Sequence, residues 1–433
     1  MADKYKGKLA VIGLGFVGLP LSVTLAEKGF QVYGIDVDVR KIASLNQKIS
    51  YINDISHERL KHAMENQSFI PTDDFEIMKS VQSIIVCVPT PLTKDKNPDL
   101  KYVKSAGAEI AKHLQKGQLV ILESSTFPGT TKEVLLPMLE KQGLQAGIDF
   151  FLANSPERID PGNKQYAVTQ IPKVVGGVTA ACQKAAHDLY SQVYDQVVLV
   201  SSTEAAELTK LLENTFRFVN ISFMNEMAVL CDDLNINIWE VIDAAATKPY
   251  GYTPFYPGPG IGGHCIPVDP LYLQWKLLQS KKSSDFISLS DNMNEKMVHY
   301  VVNRTNELLA KGKDVKSAKV LLYGVTYKKD VADIRDSTAV EVFEEFLERR
   351  TDVYYHDPLI PEMKLNGITH KSADLTEELL KEMDCVVILT DHTQIPLSLI
   401  EEHADLIFDT RNATRKLTDS DKLFRLGDGK KVQ

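Results

Sequence analysis

The chain has 433 residues, more than one ordinary core accommodates, so two or three domains are expected. Its 49 basic and 58 acidic residues leave a net charge of −9, which argues against a general nucleic-acid or membrane-surface binder. No apolar run is long enough to cross a bilayer, the polar stretch Met1 to Lys8 predicts no signal peptide, and five widely spaced cysteines without a Cys-x-x-Cys pair suit a reducing cytoplasm.

The first third alternates short apolar runs with helical stretches. Lys8 to Ile12 reads as a strand, Pro20 to Lys28 as a helix closed by Gly29, and Gln31 to Asp36 as a second strand. Ser83 to Val88, Gln118 to Leu122 and Asp149 to Ala153 read as further buried strands. Such alternation implies right-handed crossovers and a parallel sheet, here over residues 1–200.

Gly13-Leu14-Gly15-Phe16-Val17-Gly18 follows the first strand and opens the first helix. The first glycine allows a tight turn, the second lets backbone approach a pyrophosphate, and the third permits close helix–strand packing. The helix N-terminus then faces the phosphates with unpaired N–H groups. Asp36, at the end of the second strand, can accept hydrogen bonds from the adenosine ribose and would repel a 2′-phosphate, so NAD is the expected cofactor. Arg40 and Lys41 lie near it. The expected contacts are Gly13, Gly15, Phe16, Val17, Gly18, Asp36 and Lys41. Thr90 and Ser124 follow two later strands, where ligands sit in open α/β sheets; each could equally cap a turn or helix.

Thr203 to Leu234 carries Leu208, Leu211, Leu212, Phe216 and Val219 at helical spacing. A helix of that length is expected to connect domains and to offer a dimer surface. Lys210 and Asn214 lie one turn apart on one of its faces; alone, they would read as a solvated lysine beside a polar neighbour. Helix continues to about Lys311, interrupted by a Gly- and Pro-rich loop from Pro249 to Pro270, giving a middle domain over 201–311. In 312–433, the runs Lys319 to Tyr323, Asp352 to Tyr355, Cys385 to Leu389 and Leu406 to Asp409 read as strands. A helix from Thr338 to Arg349 opens with a capping-box pattern, Thr338 to Glu341, and carries Val340, Phe343 and Leu347 on one face. This is a second, smaller α/β domain.

Gly258 to Pro270 reads GPGIGGHCIPVDP. Four glycines before one cysteine let backbone approach a ligand closely. Cys265 can be a nucleophile if cations or helix N–H groups favour its thiolate, although a buried inert thiol is the commoner fate of a lone cysteine. Asp269 could act as a base or orient water. A metal site of His264, Cys265 and Asp269 is disfavoured, because adjacent His and Cys seldom both face one ion and no second cysteine is near. Asn154-Ser155-Pro156-Glu157-Arg158 follows the last strand of the first domain and could equally be a border loop.

Together these segments resemble the nucleotide-sugar 6-dehydrogenase family, which includes the UDP-glucose and GDP-mannose dehydrogenases. The resemblance spans nearly the whole chain through five ordered motifs: GLGFVGLP at Gly13, SPER at Ser155, ELTKLLENTFR at Glu207, GIGGHC at Gly260 and YKKDVADIRDS at Tyr327. It implies an α/β fold of two Rossmann-like doubly wound domains joined by a long central helix and helical middle domain, usually in homodimers. It implies NAD as cofactor and a UDP-sugar as substrate. Cys265 would be the nucleophile, Lys210 and Asn214 would stabilise oxyanions, Asp269 would serve in base or water chemistry, and Glu157 in thioester hydrolysis. Thr126 would hold a water or the nicotinamide region, Lys328 would meet the substrate, and Arg335 the cofactor or substrate. Oxidation of an alcohol to an acid needs two hydride transfers, and a thiohemiacetal and thioester on Cys265 would keep the reactive aldehyde from escaping.

Departures within the resemblance narrow the sugar. Val268 stands where UDP-glucose enzymes usually carry a lysine, and the loop Lys248 to Pro257 where they offer an arginine. GGHCIPVDP and SPERIDPG look like the N-acetylhexosamine branch, and KPYGYTPFYPGPG looks most like the UDP-N-acetylglucosamine 6-dehydrogenases, with polysaccharide biosynthesis as the implied setting. Tyr252, Phe255 and Tyr256 would then wall the acetamido group, with Arg158 or a glycine-loop N–H such as that of Gly262 donating to its carbonyl. UDP-N-acetylmannosamine and then UDP-glucose are the alternatives. A catalytically dead NAD- or sugar-binding regulator is disfavoured by the joint presence of Cys265, Lys210, Asp269 and Glu157.

Overall fold

The computed structural model describes residues 6–52, 55–159, 166–309 and 317–431. It divides into one unit of Met1–Glu213 with Leu271–Lys282 and another of Asn214–Pro270 with Ser283–Gln433. The expected boundary between residues 311 and 312 lies outside the described residues.

The first unit is built on eight strands: β1 (Lys8–Ile12), β2 (Gln31–Ile35), β3 (Phe69–Thr72), β4 (Ser83–Val86), β5 (Leu119–Leu122), β6 (Phe151–Asn154), β7 (Lys173–Gly177) and β8 (Val197–Leu199). Their order is β3-β2-β1-β4-β5-β6-β7-β8. All neighbours pair in parallel except β6 and β7. Every residue of β4 and β5 is buried, the pattern of a sheet covered on both faces. The first helix, Gly18–Glu27, starts two residues before the expected Pro20, which sits in its first turn where a missing N–H costs nothing. Strands β3, β7 and β8 were not anticipated.

The second unit carries β9 (Lys319–Tyr323), β10 (Asp352–His356), β11 (Glu362–Leu365), β12 (Ile368–Lys371), β13 (Cys385–Ile388), β14 (Ile407–Asp409) and β15 (Leu423–Arg425). A parallel sheet runs β10-β9-β13-β14-β15, and β11 with β12 forms an antiparallel hairpin. The expected capping box is corrected here. The N-cap of helix Thr338–Glu348 is Ser337, and no side chain caps it. The Ser337 hydroxyl donates to the Val325 carbonyl instead, at 2.8 Å. The buried face is also shifted by one residue: Ala339, Val342, Phe343 and Phe346 are inside, whereas Leu347 is exposed.

Helix Thr203–Leu234 has the expected bounds. Of its apolar positions Leu211 is buried. Leu208, Leu212 and Phe216 are exposed, and the apolar stripe continues through Phe223, Leu230 and Leu234. Among the described residues no helix is long and apolar enough to cross a membrane.

Candidate active site

In the first unit the glycine loop is shaped as its sequence requires. Gly13 has φ +92°, and a Cβ there would stand 2.5 Å from the Cys87 carbonyl oxygen. A Cβ on Gly18 would lie 1.8 Å from the Gly13 carbonyl oxygen. At Gly15 a Cβ would meet nothing within 4 Å, so this glycine keeps open the approach to the helix N-terminus. Val17 supplies no side-chain cap there, so no side chain of the N-cap competes with an anion at the helix N-terminus. The residues present therefore fit a dinucleotide pyrophosphate.

Asp36 is buried and accepts from the Leu14 N–H at 2.8 Å, the Asp38 N–H at 2.9 Å and the Lys41 ammonium at 2.9 Å. Lys41 is thus brought onto the carboxylate expected to meet the ribose. Tyr51, which the sequence reading did not single out, donates its hydroxyl to the Leu14 carbonyl at 2.6 Å. Burial and the charges of Asp36 and Asp38 push its phenol up, so it stays a donor. Thr90 is buried. The Ser124 hydroxyl is committed to the Val88 carbonyl at 2.8 Å, which makes it a tie between strand ends.

The loop after β5 is held by a buried acid. Glu207 accepts from the Gly129 N–H at 2.6 Å, the Thr131 N–H at 2.8 Å and the Thr131 hydroxyl at 2.7 Å. Burial pushes its carboxyl up to about 7. In the same loop the Thr126 hydroxyl is buried with no hydrogen-bond partner among the described residues, as is that of Ser155 after β6. An orphaned buried hydroxyl suits a residue that takes a water or ligand.

Glu157 lies in a buried charge cluster. One oxygen accepts from the N–H groups of Arg158 and Ile159, both at 2.7 Å, and the other from Lys173 at 2.7 Å. Arg158 pairs with Glu213 at 2.6 Å and donates to the Pro172 carbonyl at 2.7 Å, leaving only its remaining N–H groups for a ligand. Asp160, Pro161 and Gly162 of the SPERIDPG motif lie outside the described residues. Lys210 is buried, which removes the solvated reading.

In the second unit Asn214 donates its amide to the Asp269 carboxylate at 2.6 Å, and both are buried. The Asp269 N–H donates to the Cys265 carbonyl at 2.9 Å. Cys265 is exposed, and the other four cysteines are buried, so the inert-thiol reading does not hold for it. His264 is held below the usual imidazole range by burial and by the charge of Arg335.

The glycines of this loop do not leave room for a ligand in the way expected. A Cβ on Gly258 would meet the Arg411 guanidinium at 2.5 Å, on Gly260 the Thr338 methyl at 2.9 Å, on Gly262 the Asp336 carbonyl at 2.8 Å, and on Gly263 the Tyr327 ring at 2.6 Å. The close approach is to the chain's own side chains and backbone. Arg411, at the end of β14, was missed; it follows Asp409 in a short DTRN turn that carries no strong motif. The aromatic residues are divided. The Phe255 ring meets Phe216 edge-on at 5.6 Å, Tyr256 stacks on Trp239 at 6.2 Å, and Tyr252 is half-buried. Arg335 forks onto Asp333, at 3.0 and 2.6 Å, and Lys328 is half-buried.

The chain matches three family models: the NAD binding domain of the UDP-glucose/GDP-mannose dehydrogenase family over residues 7–194, its central domain over 204–296 and its UDP binding domain over 321–416. It is 38% identical over 356 residues to a UDP-N-acetyl-D-glucosamine 6-dehydrogenase of Pseudomonas aeruginosa, covering 82% of this chain and 83% of the relative. It is 34% identical over 429 residues to the protein CapL of Staphylococcus aureus, covering 96% and 99%. The solved structure of a UDP-D-ManNAc dehydrogenase from Pyrococcus horikoshii matches with a TM-score of 0.89 and 31% identity, over 98% of this chain and 99% of that one. Glycine loop, carboxylate and the three matched segments agree: the chain belongs to the UDP-glucose/GDP-mannose dehydrogenase family and is an NAD-dependent nucleotide-sugar dehydrogenase.

Proposed function

We propose that this chain oxidises the 6-hydroxymethyl group of UDP-N-acetylglucosamine to a carboxylate through a thioester on Cys265. The observation that carries the reading is the buried Asn214–Asp269 hydrogen bond beside an exposed Cys265. It fixes the carboxylate of a residue whose N–H donates to the Cys265 carbonyl, four residues from a thiol that solutes can reach. Each sugar consumes one water and two NAD⁺, and the bound cofactor supplies a hydride acceptor for each oxidation.

The chain's own groups do the rest. The Cys265 sulfur attacks the aldehyde carbon, and the resulting thiohemiacetal becomes a thioester on loss of the second hydride and a proton. Lys210, with Asn214 one turn on, stabilises oxyanion charge; one such donor is typically worth about 3 kcal/mol. Asp269 serves in proton or water chemistry. Glu157 takes a proton from the water that cleaves the thioester, and the partnerless Thr126 hydroxyl holds a water or the nicotinamide region. Lys328 meets the substrate, and Arg335 the cofactor or substrate.

For the sugar, support comes from the relative of Pseudomonas aeruginosa and from the loop Lys248 to Gly263. In this reading Tyr252, Phe255 and Tyr256 wall the acetamido methyl, and Arg158 or the Gly262 N–H donates to its carbonyl. UDP-N-acetylmannosamine is the second reading, favoured by the match to the Pyrococcus horikoshii structure. The exposed stripe Leu208, Leu212, Phe216 supports a homodimer, because an apolar row on one helix is a self-complementary surface. Measuring kcat/KM for UDP-glucose and the two UDP-N-acetylhexosamines, with NADH counted per sugar, tests the proposal. UDP-N-acetylglucosamine should lead, with two NADH per sugar. A lead for UDP-glucose overturns the branch assignment, and a lead for the manno epimer overturns the reading of the loop.

A further inference from the structure

Lys173 opens β7, and its ammonium lies between two carboxylates, 2.9 Å from Glu123 and 2.7 Å from Glu157. The three side chains are 3%, 0% and 8% exposed. The ammonium also faces the rings of Tyr190 and Tyr194, at 5.4 and 5.3 Å, and Tyr190 donates its hydroxyl to the other oxygen of Glu123. Desolvating each of these ions costs several kcal/mol, whereas an apolar side chain like the neighbouring Val174 and Val175 would fill the strand position without that cost. Packing alone does not account for the cluster.

We propose that Lys173 and Glu123 are positioning residues for Glu157, holding its carboxylate ionised and aimed, with Glu123 balancing the ammonium when Glu157 takes up a proton. The inference rests on the reading of Glu157 as the base of thioester hydrolysis. In that step the water oxygen bonds to the acyl carbon, one water proton passes to Glu157, and the carbon–sulfur bond breaks with its electron pair on sulfur. The proton on Glu157 then returns to the thiolate, restoring the thiol and the carboxylate. With both carboxylates ionised, the cluster carries one net negative charge, which the incoming proton cancels. If Glu123 is already protonated, the same uptake leaves an unbalanced buried cation, which is strongly disfavoured. The groups facing the cluster fit this division. Burial opposes ionisation of Glu157, but Lys173 and the N–H donor of Ile159 outweigh it and hold the carboxyl below its usual range. Burial, aided by the charge of Glu157, raises Glu123 to about 7 against the pull of Lys173. Lys173 stays charged because its two carboxylates outweigh its burial. Burial pushes Cys87, Tyr190 and Tyr194 up, so all three remain neutral.

The experiment is rapid-mixing kinetics on the full chain with NAD⁺ and the preferred UDP-sugar, following NADH and the intact protein mass, for Lys173→Met, Lys173→Arg, Glu123→Gln and Glu157→Gln. Lys173→Met should keep the NADH burst, slow steady-state turnover by about 100-fold or more, and accumulate the mass of an acyl group on the protein. Lys173→Arg should recover part of that rate. The wild-type steady-state rate should rise with pH around neutrality, and Glu123→Gln should lose that rise. Lys173→Met with wild-type turnover, or with burst and turnover slowed in parallel, overturns the proposal. If Lys173→Met does not fold, Lys173→Arg and Glu123→Gln decide it: wild-type steady-state rates and pH profiles in both overturn it. Glu157→Gln separates the two layers. Failure of that variant to accumulate acyl-protein defeats the reading of Glu157, and accumulation there but not in the Lys173 and Glu123 variants defeats only this inference.

Discussion

Asp357 accepts a hydrogen bond from the Val325 N–H at 2.7 Å, as Asp36 does from the Leu14 N–H at 2.8 Å. Each aspartate directly follows the second strand of its unit in chain order, and each also accepts from the N–H two residues on, Leu359 at 2.8 Å and Asp38 at 2.9 Å. Before them, Gly324 and Gly13 donate to the carbonyls of His356 and Ile35. The two units thus repeat one strand–glycine–aspartate clasp. They differ in what closes it. Lys41 meets Asp36 from a half-exposed position, whereas Asp357 meets the buried His392 at 3.3 Å. Thr326 and Lys329 also stand where the first loop has Gly15 and Gly18, so the second clasp keeps the fold without the pyrophosphate approach.

Substitution at the two aspartates should therefore separate binding from stability. Asp36→Ala should raise the KM for NAD⁺ by about 10- to 100-fold and narrow the preference over NADP⁺. Asp357→Ala should leave that KM unchanged and lower stability by about 3 kcal/mol, since buried N–H groups lose their acceptor. Cofactor kinetics and urea unfolding check the pair; equal use of NADP⁺ by the wild type would defeat the ribose role of Asp36.

Gly15 and Gly18, three residues apart in one loop, should also diverge. Gly15→Ala meets no neighbour, so it should fold normally yet weaken NAD⁺ by roughly 10- to 100-fold, because the methyl enters the pyrophosphate approach. Gly18→Ala drives a methyl into the Gly13 carbonyl and should cost about 3 kcal/mol or more of stability. Thermal melts beside NAD⁺ titrations distinguish them.

Glu207 gives the fold a pH signature. Its carboxyl titrates near 4.5 when unfolded and is raised to about 7 by burial in the folded chain. Over that window the folded state holds a proton that the unfolded state releases, so stability falls as pH rises, by up to about 3 kcal/mol in all. Urea unfolding at a series of pH values should show this slope reduced in Glu207→Gln. Identical slopes in variant and wild type would contradict the assignment.

Cys265→Ser retains a hydroxyl of similar size with far weaker nucleophilicity. It should still bind NAD⁺ and the UDP-sugar but lose turnover to the acid by orders of magnitude. A steady state near that of the wild type, with two NADH per sugar, would exclude the thioester route.

Much of this fold was legible where one strand or helix declares itself locally. Lys8–Ile12, Lys319–Tyr323 and Thr203–Leu234 have the expected bounds because apolar runs and helical spacing need no distant partner. Strand β7 was missed because it begins with a lysine and ends in two glycines. Lys173 is buried only because carboxylates 50 and 16 residues away come to it, a fact no local pattern carries. The same holds for Glu207, which lies more than 70 residues from the loop it holds. At Thr338 the local pattern misleads: the capping-box pattern falls one residue late, and the N-cap is Ser337, whose hydroxyl is drawn away by the Val325 carbonyl.

The packed glycines of the cysteine loop also set where variation is affordable. From Gly258 to Gly263 each glycine Cβ position is blocked by Arg411, Thr338, Asp336 or Tyr327, so side chains cannot be introduced without moving a neighbour. Just upstream, Tyr250, Gly251 and Thr253 are exposed, and Tyr256 is exposed on one side. Laboratory libraries have their steric freedom in the first half of the loop. A search for altered sugar preference should randomise residues 250–256 and hold 258–263 constant.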